Sequence, residues 1–263
     1  MIRKSVQQFS GKIMLNQRAG KGAMCDRCDQ GLSDTFAPSR RSLLLGASAL
    51  LVSGIAQAKE TKPPKPQNML SPKAALERLE EGNERYVEGV ARRHDFRHER
   101  EALASGQNPY AAILGCADSR IAPEYAFDSG RGDLFVCRVA GNFANAESVA
   151  SLEYAVSVLS TPLILVLGHD ACGAIDATIK SLKDNTTLPG HLPSLVEGLA
   201  PAVKAVSGQA GDVLANAIKQ NVIDTVAKLT STAPILSAAV DQRKLKVAGG
   251  IYRLRSGKVD MVA

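Results

Sequence analysis

Three short apolar runs, each closed by a glycine, constrain this chain more than any other feature of its sequence. Ala111–Leu114 leads into Gly115-Cys116, Leu134–Ala140 into Gly141, and Leu163–Leu167 into Gly168-His169. Runs this short, and apolar with little polar alternation, suit strands buried on both faces of a parallel sheet. Between them the spacing predicts helices over about 146–159 and 172–184. An earlier helix opens at Ser71-Pro72, where serine caps and proline fits the first turn. Ala75, Leu76, Leu79, Tyr86 and Val87 then recur along it at helical spacing. Asn221 is expected to cap a late helix carrying Val222, Ile223, Val226 and Leu229, and Lys246–Leu254 reads as a last strand turned by Ser256-Gly257. Strand–helix alternation of this kind means an open α/β sheet, without an internal repeat. There is no tryptophan and aromatics make up 4%, so aliphatic residues must fill the core.

The first 58 residues read differently. Arg40-Arg41 precedes a modest apolar stretch from about Leu43 to Ile55, and a small-x-small site follows at Ala56-Gln57-Ala58. That order is the layout of a cleavable signal peptide, with a twin-arginine pair. The apolar stretch is shorter than the roughly 20 residues that span a bilayer. We therefore expect 1–58 to be a leader that engages the export machinery, with translation starting at Met1 or Met24. Residues 59–70, with three prolines and three lysines by Gln67, read as a linker, and 71–263 as the functional domain. Export would deliver that domain to the periplasm, or to a thylakoid lumen in a cell that has one.

The leader also explains the charge. The chain carries +6, but residues 1–58 hold eight Lys/Arg against three Asp/Glu, which leaves the remainder near neutral. A nucleic-acid binder would place its basic residues on the folded part. Of five cysteines, Cys25 and Cys28 lie in the leader, and Cys116, Cys137 and Cys172 are widely spaced in the body. An odd, scattered set is no disulfide framework. His94 and His98, four apart in a densely charged segment, read as part of a solvated face rather than a metal site.

Chemistry gathers where the strands are expected to end. Cys116 follows the first run, His169 the third, and Cys172 stands three residues on, at the expected start of a helix. Ligand sites in open α/β sheets lie at the carboxyl ends of strands, so these three side chains can converge. Two thiolates and an imidazole make a zinc set with a fourth position open. Zinc acidifies water and makes a nucleophile near neutral pH. Beyond Cys116 come Asp118 and Arg120, expected to share a side if the segment is extended. The guanidinium can then keep the carboxylate ionised and free to orient the attacking water.

Gly115-Cys116-Ala117-Asp118-Ser119-Arg120, Gly132-Asp133-Leu134-Phe135-Val136-Cys137-Arg138-Val139-Ala140-Gly141-Asn142 and Gly168-His169-Asp170-Ala171-Cys172-Gly173-Ala174 together resemble the signatures of the β-class carbonic anhydrases. The likeness runs from about Ser71 onward. It implies a four-stranded parallel core sheet with flanking helices, and zinc, one per chain, on Cys116, His169 and Cys172. It also implies reversible hydration of carbon dioxide, with Asp118 and Arg120 as the orienting dyad. It implies a homodimer or higher even oligomer with sites at the subunit interface, and a substrate pocket drawn from Gln107, Phe135 and Tyr154. One subtype keeps Asp on Arg; the other swings Asp onto zinc at lower pH and usually has Trp where Gln107 stands, so the open form is expected here. Asp170, Cys137 and Arg253 depart from the common pattern. Asp170 is expected to face away from the metal, and Cys137 to be a buried, inert thiol. Two other readings keep the fold: turnover of carbon disulfide or carbonyl sulfide, or a zinc-binding module without turnover.

Overall fold

The computed structural model describes residues 69–263, apart from the side chains of Phe96 and His98. The expected leader, its cysteine pair and most of the expected linker lie outside the described residues. In chain order the elements are α1 (Pro72–Val87), α2 (Phe96–Leu103), β1 (Ala111–Gly115), α3 (Pro123–Ala126), β2 (Leu134–Arg138), α4 (Ala146–Ser157), β3 (Leu163–His169), α5 (Gly173–Lys183), α6 (Pro193–Ala205), α7 (Val213–Ser231), α8 (Ile235–Asp241), β4 (Lys246–Tyr252) and β5 (Val259–Met261). Among the described residues no helix is long and apolar enough to cross a membrane.

The strands form one sheet in the order β2-β1-β3-β4-β5. The first four run parallel, with Ala112 opposite both Phe135 and Ile164, and Leu163 opposite Lys246. The fifth is a short antiparallel strand, absent from the four-strand expectation; it pairs Gly250 with Met261 after the turn at Ser256-Gly257. Alternation along β1 and β3 explains why these runs are continuously apolar. Ala112, Leu114, Ile164 and Val166 face one core, built with Leu152, Ile175, Leu199, Val222 and Leu229 from the helices α4 to α7. Ala111, Ile113, Leu163, Leu165 and Leu167 face a second, with Ala75 and Leu79 of α1 and Phe127 beyond α3. Helices on both faces leave little room for polar side chains within β1 and along β3 before His169.

The helices follow from their caps. Ser71 accepts a hydrogen bond from the Ala74 amide at the start of α1, as its sequence implies. The late helix corrects the sequence reading. Asp212, not Asn221, caps α7, its carboxylate accepting from Leu214 N. Asn221 lies mid-helix and is buried, on the face that carries Ile218, Val222 and Leu229. A cap-type residue inside an apolar stripe had been taken for a boundary. The helix α6 was not anticipated; it begins at Pro193 and holds a second proline, Pro201, within its length.

Strand order places the site. From β1 the chain goes to β2 on one side, then crosses back to β3 on the other. That reversal opens a crevice beyond the carboxyl ends of β1 and β3, where loops splay apart.

Candidate metal centre

The crevice receives Cys116 immediately after β1, His169 as the last residue of β3, and Cys172 at the N-cap position of α5. Between the last two, Ala171 takes a left-handed φ of 52°, which tightens the turn enough to bring Cys172 back over the strand end. The cap of α5 is not closed by a side-chain hydrogen bond, so the Cys172 sulfur is free to ligate. The helix N-terminus, through Ala174 and Ile175 N–H groups, favours its thiolate.

The three donor atoms lie within 4.8 Å of one another and all three residues are buried. Among the described residues no other group of three His, Cys, Asp or Glu is so placed. Tetrahedral zinc holds such ligands at about 2.0–2.3 Å, hence under 4 Å from each other, so only a small contraction separates this trio from a zinc site. His169 makes the fit specific. Its Nδ1 donates to the Asp170 carbonyl at 2.8 Å, which fixes the tautomer with a bare Nε2 lone pair. That Nε2 is fully buried and has no hydrogen-bond partner. An orphaned ring nitrogen is costly inside a protein, and a cation between it and two sulfurs removes the cost.

One of the two sulfurs is already poised. The Cys116 thiol is drawn down, first by a hydrogen bond from Cys172 and then, against burial, by His169 and the Gly141 amide. Cys172, which supplies that bond, is pushed up. Gly141 N donates to Cys116 Sγ at 3.3 Å.

Asp118 and Arg120 stand beside the trio. Arg120 grips the carboxylate in a fork, Nε to Oδ1 at 2.9 Å and Nη2 to Oδ2 at 2.7 Å. This bond, the largest influence, holds Asp118 well below the usual carboxylate range. Its Oδ2 is 3.8 Å from His169 Nε2. The pairing does not come from an extended segment, as the alternation had implied. Residues 118–121 form a turn in which Ile121 N donates to Asp118 O and Arg120 N to Asp118 Oδ1. The fork keeps the carboxylate on arginine, the arrangement expected of the open form.

Gln107, Phe135 and Tyr154 are elsewhere. Phe135 pairs with Ala112, while it is Arg138 that lies opposite Gly115. That sets Phe135 about 10 Å back along the sheet at 3.3 Å per residue. The Tyr154 ring, on α4, is 6.3 Å from the Phe135 ring and the residue is 47% exposed. Gln107 is exposed in the loop before β1 begins. Phe135 and Tyr154 sit toward the start of β2 and Gln107 lies before β1, at the opposite end of these strands from Cys116.

Asp170 does face away from the trio, its Oδ1 accepting from Leu254 N. Cys137 is half-buried rather than buried, and burial raises its thiol. His94 precedes α2 instead of riding on it; its Nδ1 meets Glu99 Oε1 at 3.1 Å. The sequence reading missed Arg138. Its guanidinium donates to the carbonyls of Cys116 (2.9 Å), Asp118 (2.6 Å) and Ile121 (2.9 Å), which clamps the ligand-bearing turn. A charged residue closing an apolar run was the available signal.

Known proteins match this chain over the same region. The family model described as "Carbonic anhydrase" matches residues 111–259. "Carbonic anhydrase 2" of Mycobacterium tuberculosis is 40% identical over 189 residues, 72% of this chain and 91% of that protein. "Carbonic anhydrase" of Mycolicibacterium smegmatis is 37% identical over 193 residues, 73% and 93% of the two chains. Among solved structures, the β-carbonic anhydrase CcaA aligns with a TM-score of 0.55 at 30% identity, over 72% of this chain and 98% of that one.

Proposed function

Since this chain belongs to the carbonic anhydrase family and has the fold of its β class, we infer that its Cys116–His169–Cys172 centre binds zinc and hydrates carbon dioxide reversibly to bicarbonate and a proton. The observation that carries the inference is the buried, unpartnered Nε2 of His169 between two sulfurs within 4.8 Å. Zinc supplies the Lewis acid that makes water a nucleophile near neutral pH. The protein's residues do the rest. Cys116 and Cys172 bring two negative charges that balance the cation. Asp118, kept ionised by Arg120, presents Oδ2 3.8 Å from His169 Nε2. A lone pair left free by the guanidinium accepts an O–H bond from the attacking water and so aims its other lone pair at carbon. Replacing Cys172 by serine tests the centre: zinc falls from about one per chain to near none, and hydration is lost with it. Wild-type activity in Cys172→Ser would sink the assignment.

The position of Gln107, Phe135 and Tyr154 supports a further reading: they complete the site of a second copy. β2 is an edge strand whose residues are half-buried up to the exposed Arg138, and Tyr154 and Val158 are exposed at 47% and 60%. A second chain docked on this edge would receive an aromatic wall and an amide at its own crevice, with isologous symmetry returning the same.

Residues 1–58 form an export leader on the strength of Arg40-Arg41, the short apolar stretch and Ala56-Gln57-Ala58. Such a leader would deliver the domain to the periplasm, or to a thylakoid lumen in a cell that has one. Mass spectrometry of the exported protein should find an N-terminus near Lys59; an intact Met1 or Met24 start on the active enzyme would reject it.

A further inference from the structure

Asn221 is an unexpected residue for the middle of α7. It is 3% exposed on a face that also buries Ala217, Ile218, Val222, Thr225 and Leu229, and asparagine is a poor helix former. A buried amide in such a stripe is tolerated only where its hydrogen bonds are made. Its Nδ2 donates to the Gly141 carbonyl at 2.8 Å, across eighty residues of sequence. Gly141 is also the residue whose own N–H reaches Cys116 Sγ.

Gly141 is held on its other side as well. Its φ of +85° is a left-handed conformation, and a Cβ there would come within 2.7 Å of Leu199 on α6. So this one glycine, wedged between α6 and α7, carries two hydrogen bonds in series: α7 holds its carbonyl and it holds a ligand sulfur. Groups behind metal ligands orient them and tune their hold on the ion.

We propose that Asn221 is a positioning residue of the metal centre, acting through Gly141 to orient the Cys116 thiolate. The proposal rests on Cys116 being a zinc ligand. Asn221→Leu keeps the volume of the side chain and removes the donor. Freed of that tether, Gly141 swings and its N–H no longer points at Cys116 Sγ. The loss is confined to one sulfur, so zinc leaves more easily while the trio remains.

The test follows zinc release from the loaded full-length protein to an excess of a chromophoric chelator. Asn221→Leu should release zinc about tenfold faster than wild type, or more. Its cobalt-substituted form should show a shifted sulfur-to-metal charge-transfer band. Leu229→Ala, on the same helix face, lowers stability without touching Gly141, and should release zinc at the wild-type rate with an unshifted band. Wild-type release and spectrum in folded Asn221→Leu overturn the proposal. So does a Leu229→Ala variant that loses zinc as fast, because general loosening would then explain the effect. Where leucine is not accepted, Asn221→Ser, whose hydroxyl is too short to reach, takes its place. If neither variant folds, Asn221 maintains the fold rather than the ligand and the proposal is rejected. Failure of wild-type protein to hold zinc is a separate result, and it would reject the metal centre itself.

Discussion

At the scale of single residues, the centre is a division of labour between ligands and the groups that aim them. Asp118 is proposed to be of the second kind. Asp118→Asn should keep zinc at the wild-type level yet lower kcat by about 100-fold, since the carboxamide can no longer act as a full acceptor. Equal loss of zinc and rate would instead make Asp118 a support for the metal. The arginine fork also fixes a pH dependence. A carboxylate whose folded pKa is depressed contributes stability that is complete above its unfolded value, about 3.9, and disappears only as pH falls through the lower folded value. Asp118 lies in this class. Its carboxyl carbon resonance should therefore stay unchanged from neutrality down past pH ~4 in wild type, and titrate near that value in Arg120→Ala. An Asp118 that titrates normally beside an intact Arg120 contradicts the fork. The ligands and this dyad were legible in the sequence because thiols, an imidazole and a CxDxR spacing are chemically distinctive. Arg138 and Asn221 were not, because bonds to backbone carbonyls 20 and 80 residues away leave no local pattern.

At the scale of elements, each helix is placed by one face and a few close approaches. The helix α1 buries Ala75, Leu79, Gly82 and Asn83 against the second core. Asn83 ties it down, donating to the carbonyls of Ala126 and Gly257 and accepting from Val259 N. A Cβ at Gly82 would stand 2.0 Å from the Phe127 carbonyl oxygen, which is backbone and cannot rotate away. Gly82→Ala should thus destabilise by about 1–3 kcal/mol or more in urea unfolding, although alanine is intrinsically the better helix former. A stabilised variant would mean that α1 does not pack as described. The sequence suggested α1 well, down to its Ser71 cap, because its period and cap agree. It misread α7 because Asn221 has the chemistry of a cap and only the tertiary contact with Gly141 explains it inside a helix.

At the scale of the whole molecule, one chain supplies metal ligands at one end of the sheet and a candidate substrate wall toward the other. The proposed association through the β2 edge would reconcile the two, and mixing chains tests it. Cys172→Ser and Gln107→Ala proteins, each inactive or impaired alone, should recover about a quarter of wild-type turnover after being unfolded and refolded together, since half the random dimers are mixed and each holds one intact site. No recovery would place Gln107 in its own chain's site. The sheet itself tolerates little change: Leu165, 1% exposed in the second core, should cost about 2–5 kcal/mol as alanine, read as a lowered urea midpoint.

The sequence by itself determined the class of fold and which three side chains could serve as ligands. Strands buried on both faces must be continuously apolar, and soft donors after such strands must gather at their carboxyl ends. The tertiary structure decided what depends on distance. It bent residues 118–121 into a turn rather than a strand, put the β5 hairpin on the sheet edge, and set Gln107, Phe135 and Tyr154 apart from their own cysteines. Strand register decides those positions, and register follows from how whole elements pack, which a local pattern of residues does not record.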